Sequence, residues 1–246
     1  MSGHSKWATI KHAKGAADAK RGQLFTKFIK EISIAARMGG GEPNSNPRLR
    51  TAILKARAAN MPKTNIENAI KKGTGELDGP IPEEMLYEGY GPSGVAILVE
   101  VLTDNKNRAA ANVRNIFSKT GGNLGATGSV AYMFKRQGVI EYDAEAVSED
   151  AIMEAGLEAG ADDIAAEDGV ITVTTNPDDF SNVLEALQAK GFESVSAGIS
   201  MVPDTYSVLD EETAKKVIKL IDRLEEDEDV QNVYSNMELP EGFEAE

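Results

Sequence analysis

From about residue 137 to residue 203 the chain carries strand-type and helix-type patterns in the order β-α-β-β-α-β, and this order constrains the fold more than any other feature. Val139 to Tyr142 opens the series as a strand. A helix is predicted over about 149–159, a weak strand at 164–167 and a stronger one at 170–175. Asp168-Gly169 between the last two is a hairpin signal, because both residues tolerate the positive φ of a tight turn. Asn176-Pro177 opens a helix to about Lys190, and 195–202 is a final strand. Six elements in this order close a four-stranded antiparallel sheet, the ferredoxin-like arrangement. Such a unit completes its sheet without help, so the flanking segments must fold among themselves.

Upstream, 83–136 shows strands at 85–90 and 95–102, a helix capped by Asn105 or Asn107 and running to about Ser118, a Gly-rich loop, and a strand at 130–134. This series lacks a second helix-strand pair. Residues 204–246 supply one, with a helix over 210–224 and a strand over 230–234. The first 75 residues are of another type. Ala13 to Lys20 is rich in Ala and Lys with no β-branched residue, and a helix is expected there. Gln23 to Met38 places Phe25, Phe28, Ile29, Ile32 and Ala36 on one helical stripe, and Gly39-Gly40-Gly41 ends it. Asn46-Pro47 starts a helix to about Asn60. Thr64 and Glu67 have the spacing of a capping box for a last helix ending at Gly73. The expected class is therefore multi-domain α+β. A basic all-helical domain over 1–75 precedes a discontinuous α+β domain over 76–136 plus 204–246, and a ferredoxin-like domain over 137–203 is inserted in the latter.

Charge is segregated along these boundaries. The net charge is −14, yet residues 1–72 hold 15 Lys and Arg against 4 Asp and Glu. Residues 141–246 hold 5 against 29. A cationic segment on an acidic protein points to a polyanion partner for that segment alone. The residues expected to meet nucleic acid are Lys6, Trp7, Lys11, Lys14, Lys20, Arg21, Lys27, Arg37, Arg50 and Arg57. Lysine and arginine would contact phosphate, and an aromatic such as Trp7 suits base stacking, although it suits a helical core equally well. Arg50 and Arg57 are seven apart and share a helix face.

Other chemistry is poorly provided for. The two histidines, His4 and His12, lie at the extreme N-terminus, and cysteine is absent. Triads, thiolate nucleophiles and His/Cys metal sites are therefore poor fits. The loop Gly121 to Gly128 leaves a helix and enters a strand, the opposite polarity to a phosphate-cradling loop. A tight structural connection is its expected role. The run Glu225 to Asp229 has no EF-hand spacing and reads as a solvated face. Neither an enzyme activity nor a cofactor nor a metal is expected. No apolar run approaches the ~20 residues of a membrane span, and a cytoplasmic monomer is expected.

Gly3-His4-Ser5-Lys6-Trp7, Asn60-Met61-Pro62-Lys63, Tyr87-Glu88-Gly89-Tyr90-Gly91-Pro92, Thr103-Asp104-Asn105-Lys106-Asn107-Arg108, Gly121-Gly122-Asn123-Leu124-Gly125 and Val230-Gln231-Asn232-Val233-Tyr234 resemble the YebC family. The resemblance spans the chain. It implies a helical N-terminal domain with two α+β domains. Bacterial members are commonly described as probable transcriptional regulators that bind promoter DNA. Mitochondrial relatives are translational activators, and some bacterial members act on the ribosome at proline-rich stretches. The expectation is a DNA-binding transcription regulator. The alternative is a ribosome-associated translation factor contacting rRNA or tRNA. In either case the acidic body faces solvent or a protein partner.

Overall fold

The structure, a computed structural model, describes the backbone of residues 19–243 and the side chains of residues 22–243. The helix expected over 13–20 falls largely outside these residues. In chain order the elements are α1 (Ala19–Gly39), α2 (Pro47–Ala58), α3 (Lys63–Thr74), β1 (Glu83–Tyr90), β2 (Ala96–Thr103), α4 (Lys106–Lys119), β3 (Asn123–Leu124), β4 (Phe134–Asp143), α5 (Glu149–Ala159), β5 (Asp163–Glu167), β6 (Val170–Thr175), α6 (Phe180–Ala189), β7 (Ser196–Pro203), β8 (Ser207–Val208), α7 (Glu211–Glu225), β9 (Val230–Ser235) and β10 (Met237–Glu238). The described residues divide into two compact units, one of residues 19–130 and 216–233, the other of 131–215 and 234–243.

In the first unit, α1 to α3 bury one stripe each around Ile32, Leu49, Ile53 and Ile66, with Phe25, Phe28 and Ile29 packed against them. Asn46 fixes the corner between α1 and α2. Its Oδ1 accepts from the Leu49 amide at 3.1 Å, and its Nδ2 donates to the carbonyls of Ala35 and Gly40, each at 2.8 Å. The helix stop sits at Gly40, in the left-handed region at φ 88°. The capping box expected at Thr64 is not formed. Pro62 is the N-cap, and its carbonyl accepts from the amides of Asn65 and Ile66. Thr64 therefore lies inside the helix, as its second residue, and not at the N-cap that a capping box requires.

The unit's sheet has the order β3-β1-β2-β9. β1 and β2 form an antiparallel hairpin from Glu83↔Thr103 to Tyr90↔Ala96. β2 is buried along almost its whole length, as its unbroken apolar run requires of a central strand. The strand expected at 130–134 is absent. The Val130 amide is drawn to the Glu88 carboxylate, a short 3-10 turn occupies Ala131–Met133, and a single strand, β4, runs from Phe134 to Asp143. β3, only two residues long, takes the edge position beside β1.

The second unit contains the sheet β5-β6-β4-β7, whose three neighbouring pairs are all antiparallel. Counted along its own strands this is 2-3-1-4, the ferredoxin-like order. Ile140, Tyr142, Ile171 and Val173 face Ile152, Val183, Leu184 and Leu187 of α5 and α6. Asp168 and Gly169 both adopt positive φ in the tight turn. α6 begins at Phe180, later than its Asn-Pro signal, because Asn176 Oδ1 accepts from the Asp178 amide at 3.1 Å and holds a turn there. β8 and β10 make a two-residue parallel pair that carries too little periodicity to be read in sequence.

Candidate nucleic-acid interface

The cations of the helical segment divide into two sets. One set is turned inward and holds the first unit together. Lys27 Nζ donates to the Glu225 carbonyl at 2.6 Å. Lys30 Nζ donates to the Glu228 carbonyl at 2.8 Å and pairs with Asp229 Oδ1 at 2.9 Å. Arg48 meets Glu31 at 2.8 Å and Glu84 at 2.5 Å. Burial opposes the Arg48 charge, but those two carboxylates outweigh it and raise its pKa. A cation already held by a carboxylate or carbonyl gives up little to an incoming phosphate.

Asp229 is the centre of this inward set. Its side chain is 3% exposed and receives Lys30 together with a two-nitrogen clamp from Arg108 at 2.9 to 3.0 Å. Burial raises its pKa, but the Lys30 and Arg108 hydrogen bonds prevail and leave it below the ordinary aspartate value. Asp227 accepts from Asn112 at 2.9 Å and from the Asp229 amide at 2.9 Å. The acidic run therefore departs from the expected solvated face: two of its carboxylates are structural.

The other set points outward. Arg37, Arg57, Lys63 and Lys71 are exposed at the ends of α1, α2 and α3, while Arg50 is half-buried. Of the residues expected to meet nucleic acid, Lys6, Trp7, Lys11 and Lys14 lie outside the described residues. Lys20 and Arg21 lie in the first turn of α1, with their side chains outside the description. Lys27 is committed inward, Arg37 and Arg57 remain at the surface, and Lys63 and Lys71 join them. Sequence pattern missed the last two because both sit on α3, whose outer face carries no dense run of charge.

Two family descriptions match the chain, the TACO1/YebC protein N-terminal domain over residues 5–76 and the TACO1/YebC second and third domain over 82–237. The chain belongs to the TACO1/YebC family. It is 80% identical over 244 residues to a "probable transcriptional regulatory protein" of Treponema denticola, covering 99% of both chains. A protein of the same description from Treponema pallidum strain Nichols is 77% identical over 98% of both. The crystal structure of a conserved hypothetical protein from Aquifex aeolicus superposes with a TM-score of 0.83 at 50% identity, over 93% of this chain and 95% of that one.

The motifs shared with TACO1/YebC proteins have structural duties in this chain. In Thr103 to Arg108, Asn105 caps α4 through the Arg108 amide at 3.0 Å, Lys106 pairs with Glu83 at 2.6 Å, and Arg108 clamps Asp229. In Tyr87 to Pro92, the buried Glu88 carboxylate accepts from the amides of Gly128 and Val130, and the Glu88 carbonyl accepts from Gly125. A phosphate-cradling loop offers its amides to a ligand. Here those at 128 and 130 are filled by the protein's own carboxylate. Gly89 and Gly122 permit the close approach, since a Cβ at either would lie 2.7 Å from a backbone carbonyl oxygen.

The face of the β5-β6-β4-β7 sheet that turns away from α5 and α6 is a further candidate that its side chains discourage. Ile140, Tyr142, Ile171 and Val173 point to the helices, so alternation turns Val139, Glu141, Thr172 and Thr174 the other way. Four-stranded sheets that bind single-stranded RNA stack bases on aromatics of their two central strands, and none stands among these four. Among the described residues no group of His, Cys, Asp or Glu is placed to hold a metal ion. No described helix is long and apolar enough to cross a membrane.

Proposed function

We propose that this chain is a non-enzymatic, cytoplasmic regulator of gene expression that binds duplex DNA through the outward cations of its N-terminal helical segment. The observation that carries the reading is the division of charge. A segment with 15 cations against 4 carboxylates uses Lys27, Lys30 and Arg48 to hold the protein together and still exposes Arg37, Arg57, Lys63 and Lys71. The relatives described as probable transcriptional regulatory proteins support the regulatory role. Lysine and arginine on phosphate give affinity without sequence preference and a strong dependence on salt.

A second reading is a ribosome-associated translation factor that contacts rRNA or tRNA. The inward use of cations favours it, since a small outward set on a protein of net −14 suits a short stretch of phosphates in a shaped cleft. Binding of the full chain to promoter duplex, unrelated duplex and intact ribosomes across a salt series separates the two. Tighter binding to promoter duplex supports transcription; tighter binding to ribosomes, with both duplexes equal, replaces it with translation.

A further inference from the structure

We infer that α2 and α3 form a helix-turn-helix whose second helix reads base edges in the major groove of duplex DNA through Thr64, Asn68 and Lys71. The inference deepens the DNA reading above and rests on it. Four residues, 59–62, join the two helices. The turn is tight and specified: the Met61 amide donates to the Ala56 carbonyl and the Asn60 amide to that of Arg57, each at 2.9 Å. Asn60 takes the left-handed conformation at φ 58°, and Met61 folds back into the core. This is the Schellman closure of a helix, with asparagine where glycine is commonest.

α1 supports the pair from behind. Gly73 of α3 lies against the Ser33 carbonyl, where a Cβ would come within 2.3 Å, and Ser33 Oγ donates to the Ala69 carbonyl at 3.0 Å. That approach presses Ile66, Ala69 and Gly73 inward, so the opposite side of α3 faces out. Thr64, Asn68 and Lys71 stand at i, i+4 and i+7 on that side, all exposed. Their side chains have no hydrogen-bond partner among the described residues. Asparagine matches adenine, lysine matches guanine, and threonine serves either a base acceptor or the thymine methyl. Lys63 in the same helix, loosely paired with Glu67 at 3.6 Å, and Arg57 beside the turn are placed for the flanking phosphates. A helix of 12 residues fits the wide major groove of B-form DNA and not the narrow one of A-form RNA.

The test is a selection by the full-length protein from a pool of random DNA duplexes, repeated with Thr64→Ala, Asn68→Ala, Lys71→Ala and Arg57→Ala. Thermal melting of each variant checks that the fold is kept. The wild type is expected to enrich a short motif. Asn68→Ala and Lys71→Ala are each expected to relax one base position and to weaken the selected site about tenfold relative to random duplex. Arg57→Ala is expected to weaken selected and random duplexes alike. Enrichment of the same motif by wild type and all three α3 variants overturns the assignment of α3. Duplex binding with no motif also overturns it, while leaving the DNA reading intact. Absence of duplex binding by the wild type ends both.

Discussion

Among single residues, Asp229 carries the most weight, because one buried carboxylate receives cations from α1 and from α4. Asp229→Asn is expected to destabilise the protein by about 2 kcal/mol, the scale of losing hydrogen bonds to charged partners, of which Arg108 is half in solvent and Lys30 less so. Its lowered pKa means that its contribution is present above the ordinary aspartate value of 3.8 and is lost as pH falls through the depressed one. Urea unfolding from pH 2.5 to 7 is expected to show a steeper acid limb for wild type than for the variant. Glu141 has the opposite sign. Burial raises its pKa from 4.5, against a 2.6 Å hydrogen bond from Ser196. Its contribution is thus present below the ordinary value and is lost as pH rises through the raised one. Glu141→Gln is expected to gain stability relative to wild type more at pH 8 than at pH 4. Tyr142 is buried with a hydroxyl that finds no partner among the described residues, and burial pushes its pKa up to about 12. Tyr142→Phe keeps the edge-on contact with Phe192 and is expected to be neutral or to stabilise by about 1 kcal/mol, measured by thermal melting.

At the scale of elements, what could be read in the sequence was whatever a period or a cap encodes. The β-α-β-β-α-β order came from alternation and from Asp168-Gly169, and the structure gives the matching strand order. The Asn46 cap was legible for the same local reason, and of the two candidates Asn105 and Asn107 it is Asn105 that caps α4. What failed depended on distant partners. The segment 130–134 has strand-forming residues, but Glu88 takes the Val130 amide from forty-two positions away. The acidic run 225–229 looked like solvated charge because its cations, Lys30 and Arg108, lie more than a hundred residues upstream. Lys27 shows the same limit at the candidate interface, since nothing near it in sequence reveals that Glu225 will claim its ammonium. The sheet order β3-β1-β2-β9 carries its own prediction. A fragment of residues 134–203, which contains all four strands of its sheet, is expected to unfold cooperatively. A fragment of residues 76–130 lacks β9 and the neighbour it gives β2, and is expected to give no cooperative transition in calorimetry.

For the whole molecule, the division of charge sets which segment attracts a polyanion. Residues 1–72 carry a net +11 and residues 73–246 a net −25, so long-range attraction for a polyanion comes from the first segment alone. The most direct measurement is duplex binding by the full chain and by residues 73–246 across a salt series. With about four outward cations on phosphate, log K for the full chain is expected to fall with log salt at a slope of about −3.6. Replacing Arg37, Arg57 and Lys63 with alanine is expected to reduce that slope by about 2 to 3, and residues 73–246 are expected to bind no duplex at moderate salt. Equal binding by residues 73–246 and the full chain would contradict the account, as would a slope indifferent to those three substitutions.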